Sequence, residues 1–337
     1  MSMPNKSDRR VVHFHPPVGL STLFRPLPKL EGGLRPPLDV TYQPLSGGTV
    51  LRFSAKAALG IPEQTLLLVL LELAKEQLEA LATDAIVDSK STSYMGRELW
   101  TKLYKGGGGG GESSLKLVTT WYELNRRYGS QTGGSSRATR EEQLERLCEV
   151  TVWQHDADNK NTKRQSFLVV LLVGDDERIH LALNSRLASA LLGQPYAQVS
   201  LSERLALRRD IPMALHAFLS TTLSQGHSLN IGVDKLVERL WPGSAEVAPA
   251  GTHSRRRNDV REGLEELGRL ENWTVQWERA DLTKVTRLSA GLRDMTSLIA
   301  KRSRAFPEEA LPKITSKNNG LRTFDASGLF FNKNTSA

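Results

Sequence analysis

The 337-residue chain holds a single cysteine, Cys148. One thiol excludes an intramolecular disulfide framework and any zinc site built on paired cysteines, and it fits a reducing compartment. Long apolar runs are also missing. The most apolar stretch, Thr65 to Leu71, meets Glu72 at once, far short of the roughly 20 residues a membrane helix needs. Near the N-terminus Lys6, Arg9 and Arg10 have no apolar run behind them, so no secretory signal is read there. Catalytic signatures are equally scarce: the sequence has no HExxH and no GxSxG. Gly106 to Gly111 followed by Glu112-Ser113 has the spacing of a phosphate-binding loop. Glu112, however, stands where such a loop needs Lys, and it would repel a phosphate. These absences leave a cytoplasmic binding protein with no metal, no cofactor and no membrane partner as the expectation.

What the chain does have is an uneven excess of positive charge. It carries 45 Lys+Arg against 37 Asp+Glu, a net charge of +8. Residues 1–38 account for +4, residues 39–199 for −1, residues 200–304 for +4 and residues 305–337 for +1. Nucleic acid is the default partner for a basic soluble chain. The near-neutral middle is a candidate for self-association as much as for phosphate contact.

Four segments follow from the pattern of breakers. Residues 1–37, with His15-Pro16-Pro17 and Arg25-Pro26-Leu27-Pro28, read as an extended basic arm. Residues 38–199 and 200–304 read as two domains, and 305–337 as a flexible tail. A strand pair is expected at Leu38–Tyr42 and Thr49–Phe53 around Ser46-Gly47-Gly48. Pro62 starts a helix reaching about Ala82, apolar all round at Leu66 to Leu71 and therefore buried. The glycine tract reads as a flexible loop.

Two later blocks share one order of elements: short strand, helix, polar break, helix, hairpin. In the first, Leu115–Val118 is the strand, and Trp121, Leu124 and Tyr128 stripe a helix. Leu144 and Leu147 mark a second helix from about Arg137 to Cys148. Val150–Trp153 and Ser166–Val173 are the hairpin strands. In the second block, Ser228–Ile231 is the strand, and Val233, Leu236, Val237 and Leu240 stripe a helix stopped by Trp241-Pro242-Gly243. Val260, Leu264 and Leu267 mark the next helix, and Asn272–Glu278 with Lys284–Leu288 form the hairpin. Two helices across a short break followed by a hairpin describe a winged helix, a helix-turn-helix with a β wing. The fold expectation is thus α+β, with tandem winged-helix domains between the arm and the tail.

In that arrangement the second helix of each block enters the major groove by its N-terminal end. In the second block this end carries Arg255, Arg256, Arg257, Asn258 and, one turn on, Arg261, with Lys284 and Arg287 on the wing. Arg forks suit guanine and phosphate, and Asn suits adenine. The plainer reading is an arginine face paired with Glu262, Glu265 and Glu266. Four arginines in seven residues at a helix start, where the dipole disfavours cations, speak for an external anion. The first block offers Ser135, Ser136, Arg137 and Arg140, with Lys160, Lys163 and Arg164 at the hairpin tip. Glu141 and Glu142 follow, so a structural or dimerising role stands beside DNA contact there. His13-Phe14-His15 matches the metal-holding pattern of rolling-circle nickases, but Pro16-Pro17 follows and the nearest tyrosine is Tyr42.

Several short runs carry a family likeness. His15-Pro16, Leu23-Phe24-Arg25, Leu38-Asp39-Val40-Thr41-Tyr42 and Ala58-Leu59-Gly60 resemble the N-terminal part of RepC-type replication initiators of IncQ-like plasmids. Leu183-Asn184-Ser185-Arg186-Leu187 and Leu201-Ser202-Glu203-Arg204 are similar to their inter-domain segment. The resemblance implies a non-catalytic initiator with two winged-helix domains. It implies binding to direct repeats (iterons) in double-stranded origin DNA, opening of the adjacent duplex, and recruitment of a helicase and primase. It also implies no metal or nucleotide of its own. The glycine tract departs from the family's pattern. A transcriptional regulator of the same architecture and a metal-dependent nickase using His13 and His15 are the alternatives.

Overall fold

The computed structural model describes residues 10–28, 34–44, 48–80, 85–104, 112–129, 134–156, 163–174, 178–243 and 251–289. The glycine tract Gly106–Gly111, Lys160 and the tail 305–337 lie outside the described residues. The chain divides into two compact units, Met1–Thr222 with Leu240–Pro242 and Leu223–Arg239 with Gly243–Ala337.

The first unit begins with β1 (Val11–Phe14) and α1 (Pro16–Leu20), followed by β2 (Leu38–Tyr42), β3 (Thr49–Ala55), α2 (Ile61–Glu79), β4 (Ile86–Val87) and α3 (Tyr94–Leu103). Next come β5 (Ser114–Thr119), α4 (Trp121–Tyr128), α5 (Gly134–Cys148), β6 (Thr151–Asp156), β7 (Lys163–Phe167), β8 (Val169–Val173) and β9 (Ile179–Leu183). It ends with α6 (Ser185–Leu191), β10 (Ala197–Ser200), α7 (Leu201–Ala206) and α8 (Asp210–Thr222). Its strands form a pair β1-β10 and two four-stranded sheets, β2-β3-β6-β7 and β4-β5-β9-β8.

Helix α2 is the centre of this unit. Every residue from Leu66 to Leu71 is fully buried, as a helix apolar on all faces requires. Pro62 occupies its first turn, where no intrahelical N–H is needed, and the Glu63 carboxylate accepts the Gly60 N–H at 2.8 Å. The same carboxylate, fully buried, meets Arg35 Nη1 at 3.0 Å and Arg146 Nη1 at 2.8 Å. Further along, the buried Arg204 of α7 donates to Thr65 Oγ1, Gln64 Oε1 and the Ile61 and Met213 carbonyls at 2.9–3.2 Å. Burial pulls that guanidinium down to about 10, so it stays charged at neutral pH.

Three expectations from sequence are changed here. The segment expected as an extended arm contributes β1 and α1. Val11 pairs antiparallel with Ser200 and Phe14 with Ala197, and Val12 and Phe14 point into the core. Pro16-Pro17, which looked like a break, opens α1, since proline fits a first helical turn. Residues 200–222, assigned to the second domain, belong to the first unit, because the buried Leu215 and Leu219 set α8 within that unit. The single strand expected at Ser166–Val173 is two. At the buried Leu168 the chain bends between sheets: Leu168 N–H reaches the Val150 carbonyl and its own carbonyl accepts Asn184 N–H, each at 2.9 Å. Asn184, from the Leu183–Leu187 run, holds the bend by donating to Ser166 Oγ and the Phe167 carbonyl while its Oδ1 caps α6.

The second unit contains β11 (Ser228–Gly232), α9 (Val233–Leu240, whose last residue groups with the first unit), α10 (Thr252–Leu267), β12 (Trp273–Arg279) and β13 (Leu282–Arg287). Its sheet order is β11-β13-β12, all antiparallel. Thus the returning hairpin strand β13 lies between its partner β12 and the opening strand β11. In the first unit the corresponding hairpin β6–β7 joins β3, while β5 joins β9. The two blocks share an order of elements but not a strand pairing.

Candidate nucleic-acid interface

Helix α10 starts at Gly251, whose φ of +82° favours glycine. Val260, Gly263, Leu264 and Leu267 are the buried stripe of the helix. That stripe begins at the third turn, which leaves the first two turns outside the core. Arg255 and Asn258 are exposed there, and Arg256, Arg257 and Arg261 are half-buried. Burial, together with the neighbouring charge of Arg255, pulls the Arg256 guanidinium below its usual value.

The other two arginines are held internally. Arg257 and Arg261 both reach Oδ1 of Asp281, which sits in the turn between β12 and β13; Arg261 does so at 2.5 Å. Arg257 also lies 3.3 Å from Asp234 of α9, and His253 lies 3.6 Å from the same carboxylate. Arg261 Nη1 donates to Asn258 Oδ1 at 3.0 Å. The hydrogen bond to Asp281 raises the Arg257 guanidinium, and the bonds from Arg257 and Arg261 hold the Asp281 carboxyl below its usual range. The arginine run therefore has internal anions after all. They are supplied by Asp234 and Asp281, which no helical spacing connects to it. Among the described residues Arg255 makes no ion pair.

On the wing, Lys284 lies half-buried on the outward side of β13, opposite Asn230 and Gln276. Arg287 faces the other way. It is buried, donates to the Leu223 carbonyl at 3.0 Å and places its guanidinium 5.5 Å from the Trp273 ring. It is therefore a core residue. Trp277 on β12 is 39% exposed.

In the first unit, Thr120 caps α4 and Gly129 ends it with a φ of +77°. At the start of α5, Ser135 and Arg137 are exposed and Ser136 is half-buried; Arg137 leans over Trp121 at 5.9 Å. Arg140 turns inward instead. It is buried 3.6 Å over the Tyr128 ring and bonds Gln143, which removes it from any surface. Lys163 begins β7, and the exposed Arg164 donates to Glu112 at 3.0 Å. Glu112 also accepts from Ser185, so the residue after the glycine tract is tied to both β7 and α6.

The two histidines have different surroundings. His13 stacks on Tyr196 with 3.7 Å between ring centres. His15 stands at the N-cap position of α1, half-buried and with no side-chain capping bond, and desolvation and then the Arg186 charge push it down to about 4. Among the described residues no group of three or more His, Cys, Asp or Glu is placed to hold a metal ion, and no helix is long and apolar enough to cross a membrane.

The model of the replication protein C (RepC) family matches residues 9–288, most of the chain. The chain belongs to the RepC family. No curated protein matches it significantly. Two crystal structures of domains 2 and 3 of RctB are similar to it. The selenomethionine derivative has a TM-score of 0.49 and 10% identity, covering 80% of this chain and 97% of that one. The other has a TM-score of 0.46 and 9% identity, covering 83% and 99%. This RepC-family chain is a replication protein, and its match begins at residue 9, ahead of β1.

Proposed function

We propose that the protein is a plasmid replication initiator that binds direct repeats in double-stranded origin DNA, promotes opening of the origin, and brings in a helicase and primase. It acts by binding, without catalysis of its own and without a cofactor. The second unit is a winged helix, with α10 as its groove-reading helix and the β12–β13 hairpin as its wing. One observation carries this reading: the outward first turns of α10, with Arg255, Arg256 and Asn258 accessible, stand in a RepC-family chain on a strand–helix–helix–hairpin scaffold. The first unit is a second, modified winged helix, with Ser135, Ser136 and Arg137 as its contacts and a further role in self-association.

Fluorescence anisotropy with labelled duplex from the origin of the protein's own replicon tests this. Replacing Arg255 and Arg256 together by Ala should weaken binding at least tenfold, about 1.4 kcal/mol or more. If about six phosphates are neutralised, log K falls against log salt with a slope near −5. Unchanged binding in the double variant removes α10 as the reader. A plasmid-maintenance assay separates an initiator, which sustains replication, from a regulator that only occupies the site.

A further inference from the structure

Arg257 and Arg261 are one turn apart on the same side of α10, and both converge on one oxygen of Asp281. Asp234 flanks Arg257 from α9. The carboxylate side chains are 52% and 57% exposed, and those of the two arginines 24% and 31%. Both carboxylates and both guanidiniums are thus within reach of solvent, as exchange of a carboxylate for a phosphate requires. Half-exposed pairs of this kind are weak and exchangeable. An arginine needed only to fasten α10 to its sheet would be buried with its partner, as Arg287 is.

We propose that Asp281, assisted by Asp234, is an internal stand-in for phosphate that sets sequence discrimination on the α10 surface. This inference rests on the DNA-binding reading above. Holding two of the four arginines on carboxylates withdraws their charge from the indiscriminate attraction of any DNA backbone, which grows with the number of phosphates neutralised. Arg255, exposed and without an ion pair among the described residues, makes the first encounter. Arg257 and Arg261 transfer from Asp281 to DNA only where the fit of α10 in the groove brings an acceptor close enough to replace the carboxylate.

The test compares the full-length protein with Asp281→Asn, Asp281→Glu and Asp234→Asn on a short mixed-sequence duplex and on origin duplex, across a salt series. In Asp281→Asn the mixed-sequence duplex should bind about tenfold tighter at low salt, with the log–log slope steeper by about 0.9 for each freed arginine. Origin duplex should gain less, so the specificity ratio falls. Asp281→Glu keeps the carboxylate and should stay near wild type, and Asp234→Asn should show a smaller change in the same direction. An Asp281→Asn protein with wild-type slope, or with weaker binding to the mixed duplex, overturns the proposal. If neither the wild type nor Asp281→Asn binds any duplex at low salt, the DNA-binding reading itself fails.

Discussion

Replacing Arg204 by Met and by Ala separates two things this buried side chain does. Its guanidinium has four oxygen partners: Gln64 Oε1, Thr65 Oγ1 and the Ile61 and Met213 carbonyls. Three of these keep a partner when it is removed. Thr65 Oγ1 still donates to the Ile61 carbonyl at 3.0 Å, and the Met213 carbonyl lies within α8, whose ladder supplies an N–H four residues on. Gln64 Oε1 alone is stranded, at about 1–3 kcal/mol. Arg204→Met keeps the apolar stem and removes a desolvated charge, so its cost stays within about that range. Arg204→Ala also opens a cavity beside α2, a further loss of about 2–5 kcal/mol. For a unit of this size each kcal/mol lowers the melting temperature by about 2–4 °C. Urea and thermal unfolding followed by circular dichroism measure both variants. Equal losses for Met and Ala, or an Ala variant within about 1 kcal/mol of wild type, refute the account of Arg204 as a packed hub.

Glu63 gives a pH signature. Burial works to raise its carboxyl, but the Arg35 hydrogen bond and charge, the Gly60 N–H and Arg146 together hold it below its ordinary 4.5. A depressed acid contributes stability that is complete above that value and is lost as pH falls through the folded-state value. Wild type should therefore lose urea resistance on acidification below 4.5, whereas Glu63→Gln should be about 3–5 kcal/mol less stable at neutral pH and flatter in acid; parallel pH curves would contradict this. Arg140→Ala should cost the first unit about 1–2 kcal/mol through its lost stack on Tyr128 and leave duplex affinity unchanged, while Arg137→Ala should do the reverse, as melting and anisotropy on both variants would report.

Local patterns carried much of the fold. The all-round apolar run at Leu66–Leu71 identified a buried helix, and Trp241-Pro242-Gly243 marked where α9 stops. The strand–helix–helix–hairpin order of both blocks was readable from breakers and stripes. What escaped was long-range. Nothing in Val11–Phe14 announces a partner at Ala197–Ser200. The bend at Leu168 depends on Asn184, which only a folded chain brings near. The candidate interface shows the same limit. An arginine at a helix start looks alike whether it faces solvent, like Arg255, or turns onto a tyrosine, like Arg140. Asp281 could have been noted as an acid in a tight turn after an arginine-rich helix, but its two partners lie 24 and 20 residues back, beyond any helical spacing.

The β1–β10 pair also bears on how the protein is made. Val11 is synthesised 189 residues ahead of its antiparallel partner Ser200. At about 5–20 residues per second this delay is on the order of 10–40 s. Throughout that interval Val12 and Phe14 have no sheet neighbour, and the face of α2 they will cover stays open. Closure of so long a loop makes the first unit a late and slow folder. Nascent chains stalled before Ser200 should present an apolar surface that a chaperone can hold, whereas chains stalled beyond α8 should not.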